Sequence, residues 1–133
     1  MSETPKPEPG SITWYDLTVP DAENVRQFYE AVVGWKAEPV DMGGYNDFNM
    51  MTPSSGRTMA GVCHARGANA TLPSQWLIYV SVANLDESIR QCVAKGGKVV
   101  APERDMGEMG RFCVIQDPAG AVCALFEHAA RGG

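Results

Sequence analysis

Displaced along itself by about 63 residues, the chain brings Trp14, Asp21 and Gly34 onto Leu77, Asn84 and Gly97, so that a strand, a helix start and a helix stop coincide in both halves. An internal repeat restricts the fold more than any local propensity does. Whatever the first half forms, the second half must form again, and each half locates positions in the other.

In the first half, Ser11 to Val19 has the mixed alternation of a strand, and Asp21 can cap the helix that follows. Val25, Phe28, Tyr29, Val32 and Val33 recur at spacings of three and four, which gives one apolar helix face, and Gly34 supplies a left-handed stop. Strands are expected at Lys36 to Met42, Asn46 to Thr52 and Thr58 to His64, separated by the turn signals Gly43-Gly44 and Pro53 to Gly56. The second half repeats the order. Trp76 to Val82 reads as a strand, and Asn84 caps a helix with Glu87 three residues on, a variant of the capping box. Lys95-Gly96-Gly97 ends that helix, and strands follow at Lys98 to Pro102, Arg111 to Gln116 and Ala121 to His128, the last two joined by the Asp117-Pro-Ala-Gly120 turn. The pattern predicts an α+β fold of two βαβββ modules, module one over 11–66 and module two over 75–128, with a linker over 67–74. Residues 1–10 are Pro- and Glu-rich and are expected, with 129–133, to form disordered tails.

Charge and composition narrow the partners. With 16 acidic against 11 basic residues, a formal net charge of −5 disfavours a phosphate backbone or an anionic membrane surface, so neither nucleic acid nor membrane is expected. No apolar run reaches the roughly 18 residues of a membrane-spanning helix, and the N-terminus lacks a signal-peptide core, so the expected compartment is the cytoplasm. Cys63, Cys92, Cys113 and Cys123 show no C-x-x-C spacing and are read as reduced, partly buried small hydrophobes. Serine-hydrolase, P-loop and dinucleotide-binding patterns are absent from the sequence.

The strand ending Val19-Pro-Asp21, the helix ending Phe28-Tyr-Glu-Ala-Val-Val-Gly-Trp35, the Gly96-Gly97 stop and the closing Arg111-Phe112 to Asp117-Pro-Ala-Gly120 together resemble the vicinal oxygen chelate superfamily of glyoxalases, bleomycin-resistance proteins and extradiol dioxygenases. The resemblance implies two modules whose mixed sheets curve into a half-open cup with the helices on its outer face and a ligand inside. In metal-dependent members, four His, Glu or Gln side chains point into the cup and hold a divalent ion. The matching positions here are Trp14, Leu77, Ala124 and Gly61, or Ala60 with one residue of slip, and none of these side chains can donate to a metal. Trp14-Tyr-Asp-Leu17 and Trp76-Leu-Ile-Tyr79 are similar to the first and fifth strands of metal-free proteins related to lactoylglutathione lyase. The resemblance therefore implies no metal and no other cofactor.

Asp16 lies two residues from Trp14 on a strand, hence on the same face, where a carboxylate could act as a general base or bind a cationic group; the alternative is a structural charge paired with Arg111 or Arg57. Tyr79 would serve as a hydrogen-bond donor beside it. Trp14, Phe48, Met50, Leu77, Phe112 and Phe126 are the expected ligand-facing residues, although Phe48, Phe112 and Phe126 could equally fill the layer between sheet and helix. His64 and His128 read as exposed strand-end residues, and Arg111 with Glu127 as a pair across neighbouring strands. Two functions follow: a metal-independent lyase or isomerase using Asp16 and Tyr79, or a non-catalytic protein that sequesters a drug or metabolite. In both cases the partner is a small organic molecule. Exposed sheet edges further predict a homodimer.

Overall fold

The computed structural model describes residues 7–129. Its elements run β1 (Ile12–Val19), α1 (Ala22–Val33), β2 (Lys36–Asp41), β3 (Asn46–Met51), β4 (Thr58–His64), β5 (Trp76–Ser81), α2 (Leu85–Ala94), β6 (Lys98–Asp105), β7 (Gly110–Gln116) and β8 (Val122–His128), with single 3-10 turns at Gly67–Asn69 and Gly107–Met109. The fold is α+β, and the βαβββ order occurs twice. The chain forms two compact units, Trp14–Leu77, and Ile78 onward together with the residues up to Thr13. Residues 1–6 and 130–133 of the expected tails lie outside the described residues, whereas the Gly10 N–H donates to the Ser81 carbonyl at 2.7 Å and the Ser81 N–H to Ser11 at 2.8 Å.

In the first unit the strand order is β2-β3-β4-β1, with β1 and β4 parallel and the other pairs antiparallel. Helix α1 starts where Asp21 Oδ1 accepts the Asn24 N–H at 3.1 Å, and it stops at Gly34, whose φ of 87° is open to glycine at little cost. The helix packs Ala22, Val25 and Tyr29 against Leu17, Val19, Phe48, Met50 and Val62 of the sheet. Each large apolar side chain buried there contributes about 1.5–3 kcal/mol. The apolar face predicted for α1 is only partly used: Phe28, Val32 and Val33 are 56%, 63% and 50% exposed. At 100° per residue, Phe28 and Val32 stand on a row beside the Ala22–Val25–Tyr29 row rather than over the sheet.

In the second unit the order is β5-β8-β7-β6, with β5 and β8 parallel and the other pairs antiparallel. Asn84 Oδ1 accepts the Glu87 N–H at 3.0 Å and opens α2, which packs with Leu85 and Ile89 onto Val80, Cys113, Ile115 and Leu125. Strand β6 runs on to Asp105, past the expected end at Pro102. The register slips between Ala101 and Arg104, and this bulge accommodates a proline that has no N–H to give to the ladder. Arg111 and Glu127 are register partners and form the expected ion pair at 3.0 Å, while the same guanidinium reaches Glu103 at 2.6 Å and Asp86 at 3.2 Å. Glu127 also accepts the Leu85 N–H at 2.7 Å, so a β8 carboxylate satisfies a free donor at the start of α2.

Candidate functional site

In each unit the helix covers one face of the sheet, and strand alternation assigns the other face its own set of side chains. On β3 the core residues Phe48 and Met50, 4% and 0% exposed, alternate with Asp47 and Asn49. Phe48 and Met50 are therefore not the ligand-facing residues expected from the sequence: they belong to the core that α1 closes. The parallel register of β1 and β4 sets Asp16 beside Gly61 and Thr18 beside Cys63, while the antiparallel register sets Asn49 opposite Gly61 and Met50 opposite Ala60. Gly61, not Ala60, thus shares the face of Trp14 and Asp16, and Ala60 is buried beside Met50.

The polar groups on this face converge. The Trp14 indole N–H donates to Asp16 Oδ1 at 3.0 Å, and the Cys63 thiol lies 3.8 and 3.7 Å from the two Asp16 carboxylate oxygens. Burial above all, and then the negative charges of Asp16 and Asp47 flanking it, push the Cys63 thiol far above its usual range. It stays protonated at neutral pH and acts as a donor to carboxylates, not as a nucleophile. Asp47 Oδ1 accepts the His64 backbone N–H at 2.9 Å and stands 3.3 Å from His64 Nδ1. His64 is only 19% exposed and meets the Tyr45 ring edge-on at 5.4 Å, so it is not the exposed strand-end histidine that its sequence position indicates. Arg66 in turn stacks over the Tyr45 ring at 3.8 Å. Sequence reasoning singled out Trp14 and Asp16 but passed over Cys63 and Asp47. Alternation supplies the missed signal for Cys63, since it stands two residues beyond Gly61 on the same strand.

The second unit presents a different surface. Tyr79 and Phe112 lie with ring centroids 5.8 Å apart, and Phe112 stacks on Phe126 at 6.0 Å and 3° between planes. His128 follows at 4.6 Å from Phe126, half-buried rather than exposed, and Arg104 stands over the Phe112 ring at 5.7 Å. The structure brings Tyr79, Phe112 and Phe126 together, and Leu77 on β5 is fully buried. Under the repeat, Asp16 corresponds to Tyr79, Asn49 to Phe112, Gly61 to Ala124 and Cys63 to Phe126. One module has made this face polar and acidic, and the other has made it aromatic.

The four positions at which the resemblance implied metal ligands carry Trp14, Gly61, Leu77 and Ala124, whose side chains offer a metal no lone-pair donor. Among the described residues no group of three or more His, Cys, Asp or Glu could hold one. Burial first, and next the neighbouring Cys92 for Cys113 and Asp117 for Cys123, likewise push the thiols of Cys113 and Cys123 up, that of Cys113 to about 11. Among the described residues no helix is long and apolar enough to cross a membrane.

Residues 11–125 match the Glyoxalase/Bleomycin resistance protein/Dioxygenase superfamily, and the chain belongs to that family. CFP32 of Mycobacterium tuberculosis, whose name describes it as a glyoxylase, is 29% identical over 119 residues, covering 89% of this chain and 46% of the relative. The anthracycline biosynthesis protein DnrV of Streptomyces peucetius is 29% identical over 133 residues, covering 89% and 47%. The chain thus spans about half the length of the curated relatives it matches. Among solved structures, a methylmalonyl-CoA epimerase in complex with methylmalonyl-CoA and NH4+ superposes with a TM-score of 0.55 at 18% identity, over 92% of this chain and 97% of that one. At that identity the likeness is one of fold.

Proposed function

We propose that this chain binds a small organic molecule without a metal ion and that Asp16 moves a proton on it, in a lyase or isomerase step. The observation that carries this reading is the Asp16 carboxylate held by Trp14 and Cys63 on the sheet face that α1 leaves open. A positioned carboxylate is a competent general base or acid, and the four ligand-equivalent residues have no donor atoms to offer a metal. The stacked Tyr79, Phe112 and Phe126 favour a second reading, in which module two holds a flat aromatic compound with no chemistry, as a sequestering protein would. The relatives supply the probes for both readings. Isothermal titration of the purified chain with methylmalonyl-CoA and, separately, with an anthracycline, each with and without EDTA, tests them. The expected result is binding of methylmalonyl-CoA that EDTA leaves unchanged and Asp16→Asn weakens about tenfold, worth about 1.4 kcal/mol. Binding of the anthracycline alone, indifferent to Asp16→Asn, would favour sequestration. Binding that needs an added divalent cation would overturn the metal-free reading.

The protein is further proposed to act in the cytoplasm as a homodimer. Phe28 and Val32, about one turn apart on α1, leave apolar side chains 56% and 63% exposed that a second chain would cover. Sedimentation equilibrium at micromolar concentration is expected to give about twice the chain mass of 14.3 kDa. A monomer that persists at high concentration would remove this part of the proposal.

A further inference from the structure

We propose that Trp14, Gly61 and Cys63 form a seat that positions the Asp16 carboxylate, and that the missing side chain of Gly61 is what lets the seat exist. The inference rests on the reading of Asp16 as the proton-handling group and names what holds that group in place. The parallel register puts Asp16 directly beside Gly61. A Cβ on residue 61 would overlap Asp16 Oδ1 and come within 3.4 Å of both Asp16 Cγ and Trp14 Cζ2. Gly61 carries no left-handed backbone angle, so conformation does not call for glycine here. Space does: the carboxylate fills the volume that any side chain at this position would take.

Two donors then fix the carboxylate in that volume. The Trp14 indole N–H donates to Oδ1 from two residues away on the same face of β1, and the Cys63 thiol approaches from β4 at nearly equal distance from both oxygens. A second carboxylate, Asp47, flanks the thiol and is itself held by the His64 backbone N–H, which donates to its Oδ1 at 2.9 Å. Trp14 and Cys63 are positioning residues: they touch Asp16, and they act on a ligand only through it. A base must sit within a fraction of an ångström of its productive place to be effective, so loosening the seat costs function even when Asp16 is intact.

The test needs no substrate. The chain has three tryptophans, so a 15N-labelled full-length sample gives three indole N–H signals, and the one lost in Trp14→Phe is that of Trp14. Asp16→Asn should move this signal and abolish its response to acid across the carboxylate range. Gly61→Ala is expected to do the same, because the new methyl group displaces the carboxylate from the indole, while the Trp35 and Trp76 signals keep their places. Cys63→Ser, which keeps a donor, should preserve the acid response, and Cys63→Ala, which adds no volume, should shift it. A Trp14 signal in Gly61→Ala with the position and acid response of the unsubstituted chain would overturn the proposal. If Gly61→Ala does not fold, an unaltered Trp14 signal in Cys63→Ala overturns it instead. Ligand binding that survives Asp16→Asn would sink the function proposed for Asp16 and leave the seat standing, so the two failures are distinguishable.

Discussion

Replacing Gly110 by alanine is expected to destabilise the protein by more than about 3 kcal/mol, because two costs named separately for other glycines coincide at this one. Gly110 has a φ of 128°, where side-chain-bearing residues are strained. Its added Cβ would also overlap the Glu127 carbonyl oxygen and lie 2.9 Å from both Ala129 N and His128 Cα. All three are backbone atoms of β8 or of the residue that follows it, which cannot rotate away as a side chain can, and Gly110 and His128 are register partners at the start of the β7–β8 ladder. The damage would spread along the ladder to the Phe112–Phe126 stack two residues in. Gly44→Ala is the control: its φ of 113° carries the same kind of strain, but nothing lies within 4 Å of its Cβ. Urea unfolding should show the midpoint of Gly110→Ala falling several times further than that of Gly44→Ala at similar slope. Equal falls would mean that the β8 backbone relaxes and that only conformational strain counts.

Local chemistry was readable from the sequence, and sidedness was not always so. The helix starts at Asp21 and Asn84 and the stop at Gly34 were legible because each depends on one side chain and the backbone within three or four residues of it. The Asp117 turn was legible for the same reason: Asp117 Oδ1 accepts the Ala119 and Ala121 N–H groups within its own loop. The end of β6 was hidden because Pro102 reads as a terminator, and only the register with β7 shows a bulge carrying the strand past it. Asp16 and Trp14 could be placed together by strand parity alone. The contact of Asp16 with Cys63 spans 47 positions and depends on β1 lying parallel to β4, which no short-range pattern encodes.

The two modules also differ in a way that the repeat itself concealed. The alignment that locates Leu77 from Trp14 invites equal roles for equal positions, yet Asp16 and Cys63 correspond to Tyr79 and Phe126. Most helix-facing strand positions kept their apolar character, because each helix needs the same kind of surface beneath it: Leu17, Val19, Met50 and Val62 correspond to Val80, Val82, Cys113 and Leu125, although Phe48 corresponds to Arg111. The opposite face is under no such requirement within a module, and there the halves have diverged into a hydrogen-bonded carboxylate cluster and an aromatic stack.

Met50 separates packing from ligand contact most sharply. In Asn46 to Met51 both Met50 and Met51 are apolar, so the sequence does not say which of the two faces the helix. The structure places Met50 with no exposed surface among Leu17, Phe48 and Val62. Truncation to alanine there removes buried methylene and sulfur atoms and leaves a cavity beneath α1, a change that costs about 2–5 kcal/mol in well-packed cores. Met50→Leu, which conserves volume, should cost less than about 1.5 kcal/mol. Chemical denaturation of both variants beside the unsubstituted chain gives the comparison, and ligand titration of the leucine variant completes it. The expected pattern is a large loss for alanine, a small one for leucine, and unaltered affinity in Met50→Leu. An alanine variant that loses under about 1 kcal/mol would mean that no cavity forms at Met50, and a leucine variant that binds more weakly would return Met50 to the ligand-facing surface.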